Sequence, residues 1–151
     1  MSAKTHPIES ELAATMLQSL RNAKVDMIVL AGYMKKLPDI VLAQFAHKVL
    51  NIHPALLPSF GGQGMYGMHV HEAVYAYGAK QSGITVHLVD PEYDTGPVVL
   101  QKAVDISSCK NPAEIQQAVL ALEHKFYWQV VQAFSEGRVL QVDRQINLQG
   151  L

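Results

Sequence analysis

The sequence alternates short apolar runs with segments of helical periodicity, and this order restricts the chain to a few layered folds. Residues 25–31 and 49–52 form apolar runs, a pattern typical of strands that are covered on both faces of a sheet. Between them, Pro38 begins a segment to about residue 45 that has the pattern of a short helix. Residues 9–23 also carry leucine and methionine at helical spacing. The first third of the chain therefore predicts helix, strand, helix and strand.

The middle of the chain predicts a long loop, a further helix and two further strands. Residues 54–67 are rich in proline and glycine, and loops of this length in compact domains are usually functional. Residues 70–77 have a helical pattern that stops at a glycine. Residues 83–89 and 98–106 are expected to be strands, adjacent and antiparallel, joined by the turn at residues 90–97.

The last helix has clear signals at both ends. Asn111, Pro112 and Glu114 supply an N-cap, a first-turn proline and an acidic third position, and Gly137 ends the helix. Glu123 lies within or beside the apolar stripe of this helix, so its carboxylate is either at the solvent-exposed edge of the stripe or bound to a ligand. The stripe consists of Ile115, Val119, Leu122, Phe126 and Val130.

Taken together, these elements predict one α/β domain over residues 1–151, with a mostly parallel, doubly wound sheet that contains an antiparallel strand. The tail adds one possible strand at residues 139–142. A glycine-rich turn between a first strand and a first helix, which nucleotide-binding folds use to hold phosphate, does not precede the first predicted helix.

Composition narrows the function classes. The net charge is −1 and no basic stripe is present, which argues against a nucleic-acid partner. No apolar run approaches the ~20 residues of a membrane span, so no membrane partner is expected. The single cysteine, Cys109, excludes an internal disulfide framework and fits a cytoplasmic protein.

The strongest candidate site combines an amide, an imidazole and a carboxylate. Asn51 and His53 alternate at the end of a predicted strand and so emerge on the same side, and Asp94 lies in the turn Asp94-Thr95-Gly96-Pro97. In isolation, the pair on the strand could simply turn and cap the chain. With Asp94 nearby, Asn51 could donate to an oxyanion and His53 could pass a proton at neutral pH. We expect the Asp94 carboxylate to raise the pKa of His53.

Other histidines have weaker contexts. His87 alternates with Thr85 within a predicted strand and is either a hydrogen-bonded histidine at the edge of the core or a partner of the site. His69 and His71 are two residues apart, which is the wrong spacing for two metal ligands on one helix face, so no metal site is expected. His124 has no sequence context that distinguishes it from a surface residue.

Two loop segments could contact a ligand. The glycines of residues 61–64 lack the lysine and the serine or threonine of a phosphate-binding loop, so they predict flexibility rather than phosphate binding. Tyr33, Met34 and Leu37 follow the first predicted strand and could line a pocket for an aromatic ligand, or could be ordinary packing residues.

Several of these motifs, taken in order, resemble the phosphoribosylglycinamide formyltransferases of purine biosynthesis. The similarity extends from about residue 20 to 137, and the run that begins with Asn51-Ile52-His53-Pro54 is highly specific to folate-dependent formyl-transfer domains. The motifs that carry the resemblance are Leu30-Ala31-Gly32-Tyr33-Met34, Leu50-Asn51-Ile52-His53-Pro54-Ala55-Leu56-Leu57-Pro58-Ser59-Phe60, Tyr66-Gly67, Val70-His71-Glu72-Ala73 and Asp94-Thr95-Gly96-Pro97.

The resemblance implies a role for each matching residue. His53 would donate a proton to the leaving nitrogen of the folate, Asn51 would hold the formyl oxygen, and Asp94 would raise the pKa of His53. Glu123 would bind the ribose hydroxyls of glycinamide ribonucleotide, within a substrate-binding segment of Leu120, Ala121, Leu122 and Glu123. The folate pocket would be formed by Asn51 with Met34, Lys35, Lys36, Leu37, Asp90, Pro91, Glu92, Tyr93 and Asp94.

The implied reaction is transfer of a formyl group from 10-formyltetrahydrofolate to the amine of glycinamide ribonucleotide, without a metal. Alternatives are a formyltetrahydrofolate deformylase, in which water replaces the amine, and an inactive remnant that only binds folate or a partner. Members of the family begin with a strand and a turn that grips the substrate phosphate, so the resemblance implies an N-terminally incomplete domain whose first Rossmann-like strands are missing. A homodimer is also possible.

Overall fold

The computed structural model of the chain describes residues 9–151 and contains ten elements in one α/β arrangement. The helices are α1 (Glu9–Asn22), α2 (Asp39–Gln44), α3 (Met68–Tyr77) and α4 (Pro112–Ser135). The strands are β1 (Ile28–Leu30), β2 (Val49–His53), β3 (Gln81–Leu88), β4 (Val98–Asp105), β5 (Val139–Val142) and β6 (Gln145–Leu148). The predicted α/β class is therefore confirmed.

The main sheet is mixed. Its strand order is β1-β2-β3-β4, in which β1 and β2 are parallel while β3 is antiparallel to both of its neighbours. Three of the four strands thus run in one direction, as a sheet with one antiparallel strand should. The predicted sheet with one antiparallel strand is therefore confirmed, and because β3 lies inside the sheet it makes two of the three strand pairings antiparallel.

Side chains of β2 alternate between two hydrophobic clusters, one on each face of the sheet. Leu50 and Ile52 pack in the cluster that also contains residues of α3 and α4. Val49 packs in the cluster formed with α1 and α2. The sheet is therefore covered by helices on both faces, which places Asn51 and His53 at the end of a strand that the core holds firmly.

The first strand is shorter than its apolar run predicts, and it is not covered on both faces. The backbone N–H of Val25 donates to the Leu20 carbonyl at 3.1 Å, so the beginning of the run closes α1 instead of extending β1. Gly32, with φ of 68°, turns the chain away after Ala31. In the described residues β1 pairs only with β2, and Val29 is 40% exposed.

The ends of α4 agree with the sequence signals. The Asn111 side chain accepts a hydrogen bond from the Glu114 backbone N–H at 3.0 Å, as an N-cap should. Past the end of the helix the predicted strand β5 is present and pairs with β6, a strand that the sequence analysis missed. The hairpin turn at Asp143 and Arg144 lacks the Asn-Gly or Asp-Gly signal that identifies tight hairpins.

None of the helices between Glu9 and Leu151 has the length and apolar character required to span a bilayer.

Candidate active site

The three residues that the sequence analysis placed in a site lie together, and His87 joins them. Asn51 in β2 is paired across the sheet with His87 in β3, so both side chains emerge on one face at the same level. The two side chains approach to 3.3 Å between Asn51 Nδ2 and His87 Nε2. Asp94 lies 3.6 Å from His53 Nδ1 through Oδ2 and 3.5 Å from His87 Nε2 through Oδ1. Amide, two imidazoles and carboxylate thus form one continuous cluster.

The turn that carries Asp94 depends on a glycine. A Cβ atom at Gly96 would lie 1.6 Å from the Leu88 carbonyl oxygen, a separation that no side chain can adopt without moving the backbone. Asp94 itself has φ of 56°, a left-handed conformation that aspartate tolerates better than most residues. The close turn therefore holds the Asp94 carboxylate over the end of β3.

The long loop that follows β2 contributes contacts to the same cluster. The Gly62 backbone N–H donates to Asp94 Oδ2 at 3.0 Å. Near its start, the loop is fixed to β3 because Thr85 Oγ1 donates to the Ala55 carbonyl at 2.7 Å and accepts from the Leu57 N–H at 3.0 Å. These contacts hold the loop against the cluster near its start, at Ala55 and Leu57, and again at Gly62.

His53 is almost fully buried and makes contacts through both ring nitrogens. Its Nε2–H donates to the Phe60 carbonyl at 2.8 Å, and its Nδ1 faces Asp94. Burial lowers the pKa of His53 below its ordinary value of 6.5 and outweighs the opposing effects of the Asp94 charge and the Phe60 carbonyl. Asp94 therefore acts on the pKa of His53 in the expected direction, but burial has the larger effect and determines the net shift.

The carboxylate of Asp94 is held in its charged form. Burial alone would raise the pKa of Asp94, but its interactions with the His87 and His53 imidazoles and the hydrogen bond from the Gly62 N–H together lower it below its ordinary value of 3.8. Asp94 is therefore ionised at neutral pH and is a fixed negative charge between two imidazoles.

His87 orients the amide of Asn51. The Nδ1–H of His87 donates to the Leu88 carbonyl at 2.9 Å, so in the neutral imidazole Nε2 carries the lone pair and accepts from Asn51 Nδ2. Of the two interpretations of His87 from sequence, a core-edge residue or a partner of the site, the structure supports the second.

A cavity of about 700 Å³ opens over the cluster. All ten residues that the family resemblance assigned to the folate pocket line this cavity, together with Tyr33 from the same segment. The proposed pocket residues are Met34, Lys35, Lys36, Leu37, Asn51, Asp90, Pro91, Glu92, Tyr93 and Asp94. Residues 62–67 of the long loop also line the cavity, so this loop contributes to the candidate site.

Only half of the segment assigned to the second substrate faces the cavity. Leu120 and Glu123 line it, whereas Ala121 is exposed elsewhere and Leu122 packs against the core. The side chains of Ala121 and Leu122 face away from the cavity because residues on one helix face recur every three or four positions, and a role for these two residues in binding stays a prediction. Burial raises the pKa of Glu123 above its ordinary 4.5, and the charge of His124 partly opposes this.

Several cavity residues were not identified from sequence. His71 is 3% exposed, and its Nδ1 is sealed from solvent without a hydrogen-bond partner among residues 9–151. Burial, followed by the charge of His53, lowers the pKa of His71 below 6.5. His124, which the sequence analysis took for a surface residue, also lines the cavity, as do Gln116 and Tyr127. Their positions on α4, at intervals of three or four residues around Leu120 and Glu123, were the available signal.

No group of three or more histidine, cysteine, aspartate or glutamate side chains is arranged to hold a metal ion within the described part of the chain. The contacts within the cluster of Asn51, His53, His87 and Asp94 are a hydrogen bond and two close approaches of an imidazole to a carboxylate. The chemistry of the cluster suits a reaction in which an oxyanion forms and a proton moves, next to a cavity large enough for a drug-sized ligand.

The comparisons with known proteins agree with this geometry. A family model described as "Formyl transferase" matches residues 1–131. The chain is 44% identical over 137 residues to the chloroplastic phosphoribosylglycinamide formyltransferase of Arabidopsis thaliana, covering 91% of this chain and 47% of that protein. It is 38% identical over 128 residues to the phosphoribosylglycinamide formyltransferase of Bacillus subtilis, covering 85% of this chain and 63% of that protein.

A solved structure shares the fold over nearly the whole chain. The glycinamide ribonucleotide transformylase 1 of Symbiobacterium toebii superposes with a TM-score of 0.88 at 32% identity, covering 98% of this chain and 68% of that one. The chain therefore spans about half to two-thirds of the length of these three proteins.

Proposed function

Because the chain belongs to the formyl transferase family, we propose that it transfers a formyl group from 10-formyltetrahydrofolate to the primary amine of glycinamide ribonucleotide, a step of purine biosynthesis. The observation that carries the proposal is the meeting of Asn51, His53 and Asp94 at the wall of one cavity. The names of the relatives supply the transferred group and the acceptor. The resemblance of the sequence motifs implies 10-formyltetrahydrofolate as the donor.

The first step of the proposed reaction forms a carbon–nitrogen bond. The amine attacks the formyl carbon, and the carbonyl electron pair moves onto the formyl oxygen to give a tetrahedral oxyanion. Asn51 Nδ2 carries two hydrogens, one of which is directed at His87 Nε2, so the second remains to donate to this oxyanion. The contact with His87 also selects which end of the Asn51 amide donates.

The second step breaks the bond between the formyl carbon and the folate nitrogen. The electron pair passes to that nitrogen, which accepts a proton, while the attacking amine releases a proton that neutral His53 takes up. We assign the donated proton to His53. Since Nε2 of His53 donates to the Phe60 carbonyl and Nδ1 faces Asp94, donation to the folate requires His53 to give up one of these contacts. A displacement of the loop at Phe60 would release Nε2.

Asp94 makes the protonated form of His53 accessible. The pKa of a buried imidazole falls, and an adjacent carboxylate reverses part of that fall. The charge of Asp94 therefore lets His53 carry a proton transiently inside a cavity that otherwise disfavours the imidazolium. After donation, the neutral form that burial favours is restored.

The two substrates would approach from different walls of the cavity. The pterin ring would lie against residues 34–37 and the turn at residues 90–94, which provide apolar side chains and backbone groups. The ribonucleotide would lie against α4, with the Glu123 carboxylate on its ribose hydroxyls. A homodimer and a cytoplasmic location stay predictions; the Arabidopsis relative is named as a chloroplastic protein.

A paired assay tests the proposed function. Purified chain is mixed with 10-formyltetrahydrofolate, with and without glycinamide ribonucleotide, and both formylated ribonucleotide and free formate are measured. Formation of the formylated ribonucleotide supports the proposal. Formate release that does not depend on the amine would instead show a deformylase, and tight folate binding without either product would show a binding remnant.

A further inference from the structure

The hydroxyl of Tyr127 connects α4 to the backbones of the neighbouring strands β1 and β2 at the wall of the cavity. It donates to the Leu30 carbonyl at 2.6 Å and lies 3.3 Å from the Leu50 carbonyl. Leu30 is the last residue of β1, and Leu50 immediately precedes Asn51 in β2. One side chain of a helix therefore contacts the backbone at two points where the cavity begins.

Each of these contacts leads directly to a different part of the candidate site. After Leu30 the chain forms the segment with Met34, which lines the proposed folate wall. After Leu50 come Asn51 and His53. One turn before Tyr127 on the same helix face is Glu123, on the proposed ribonucleotide wall. Tyr127 is thus the point at which the donor wall, the reacting groups and the acceptor wall are joined.

We propose that Tyr127 is a positioning residue, which fixes the distance between α4 and the Asn51–His53 strand end through its hydroxyl. The proposal deepens the proposed function and rests on it for its kinetic consequences. Tyr127 does not need to contact either substrate for this role. It acts by holding the wall that carries Glu123 in register with Asn51.

The chemistry explains why such a tie matters. The amine of one substrate must come within bonding reach of the formyl carbon of the other, and the two are held by different walls. Misplacement by about 1 Å can cost on the order of a hundredfold in rate. Burial and the nearby Glu123 charge raise the pKa of Tyr127. The hydroxyl therefore keeps its proton, and can donate its hydrogen bond, at every physiological pH.

The chain offers a matched control in Tyr75. Its hydroxyl also donates to a backbone carbonyl, that of Lys110, at 2.8 Å, but Tyr75 is 44% exposed and does not line the cavity. Tyr127→Phe and Tyr75→Phe each remove one hydroxyl and keep the ring. A purely structural role for both predicts the same result for both variants: some loss of thermal stability, with no change in the site at temperatures where the fold is intact.

The test compares Tyr127→Phe, Tyr75→Phe and the wild-type chain by three measurements below their melting temperatures. These are the NMR signals of the Asn51 side-chain amide, the affinity for 10-formyltetrahydrofolate, and the kinetics of formyl transfer to glycinamide ribonucleotide. For Tyr127→Phe we expect shifted Asn51 amide signals and a kcat/KM for the ribonucleotide lower by about tenfold or more, with folate affinity nearly unchanged. For Tyr75→Phe we expect wild-type behaviour in all three.

Unshifted Asn51 signals in Tyr127→Phe would overturn the proposal whether or not the chain is active. Shifted signals with wild-type kinetics would also overturn it, as would equal effects in both variants. If the wild-type chain makes no formylated product, the proposed function fails. The shift of the Asn51 signals then still decides whether Tyr127 positions that side chain.

Discussion

The Asp94 carboxylate lies 3.6 Å from Nδ1 of His53, and both side chains are nearly removed from solvent. The pair combines two opposing effects on one imidazole. Burial, the larger effect, lowers the pKa of His53, and the Asp94 charge raises it. The histidine therefore rests in its neutral form next to a permanent negative charge, which is the arrangement that allows a buried imidazole to take up and release a proton.

Replacing Asp94 by asparagine should lower the pKa of His53 further. The amide of the Asp94→Asn variant would retain an oxygen that can accept from the Gly62 N–H, so the loop contact would be conserved while the charge is lost. We expect the titration of the His53 ring, followed by NMR, to move to lower pH. Glu92→Gln is the control, since Glu92 is an exposed carboxylate that pairs with Lys36. Equal His53 pKa values in Asp94→Asn and wild type would remove Asp94 from this role.

His53→Ala should reduce formyl transfer by about two to four decades, the range typical of general acid catalysis. Affinity for 10-formyltetrahydrofolate should change little, because the proposed pterin contacts lie in residues 34–37 and 90–94. Steady-state kinetics and a binding titration check the two parts separately. The exposed His47, changed to asparagine so that its positive φ is tolerated, provides a control that should transfer normally. A His53→Ala variant as fast as the control would refute the assignment.

The sequence identified the cluster because its members follow a period-two pattern and a turn signal. Asn51 and His53 alternate in one strand, and the Asp94 turn contains a glycine that the Leu88 carbonyl makes obligatory. The sign of the His53 pKa shift could not be read in the same way. It depends on burial, which is a property of the packed loop and helices rather than of neighbouring residues in the sequence.

The cavity residues of α4 show a second limit of prediction from the sequence. Helical spacing from Glu123 indicates that Leu120 and Tyr127 lie on the same helix face. The substrate-binding segment implied by the resemblance is instead contiguous, residues 120–123, and it includes Ala121 and Leu122, whose side chains do not line the cavity. His71 and the backbone partners of Tyr127 become recognisable only when the sheet and the helices are assembled, because the groups that they contact are distant in sequence. The parallel or antiparallel order of the strands is likewise set by long-range pairing.

Glu123→Gln should weaken productive binding of glycinamide ribonucleotide and leave folate affinity unchanged. A carboxylate can accept hydrogen bonds from two ribose hydroxyls at once, and a hydrogen bond to a charged group contributes about 1.5–3 kcal/mol, so KM should rise by roughly ten- to a hundredfold. Kinetics at saturating folate measure the change. Glu72→Gln, on an exposed position of α3 away from the cavity, is the control. An unchanged KM in Glu123→Gln would place the ribose elsewhere.

The fold should lose stability on mild acidification, before the carboxylates titrate. His53 and His71 are buried with pKa values below 6.5, so under mildly acidic conditions the unfolded chain binds protons that the folded chain does not. Stability then rises with pH in this range and is lost as the pH falls below about 6.5. Asp94, with its pKa below 3.8, adds a second loss only at lower pH, and Glu123, with its pKa raised from 4.5, acts in the opposite sense.

Melting temperatures recorded between about pH 7.5 and about pH 5.5 report mainly on the histidines, since this range lies above the ordinary carboxylate values and Glu123, with its raised pKa, acts in the opposite sense. Wild-type chain should melt at progressively lower temperature as the pH is reduced. His71→Gln removes one buried imidazole and keeps a polar side chain, so its melting temperature should depend less steeply on pH, whatever its value at pH 7.5. His69→Gln, an exposed position two residues away, should retain the wild-type slope. If His71→Gln retains the same slope as well, the buried imidazole of His71 is not a source of the acid sensitivity.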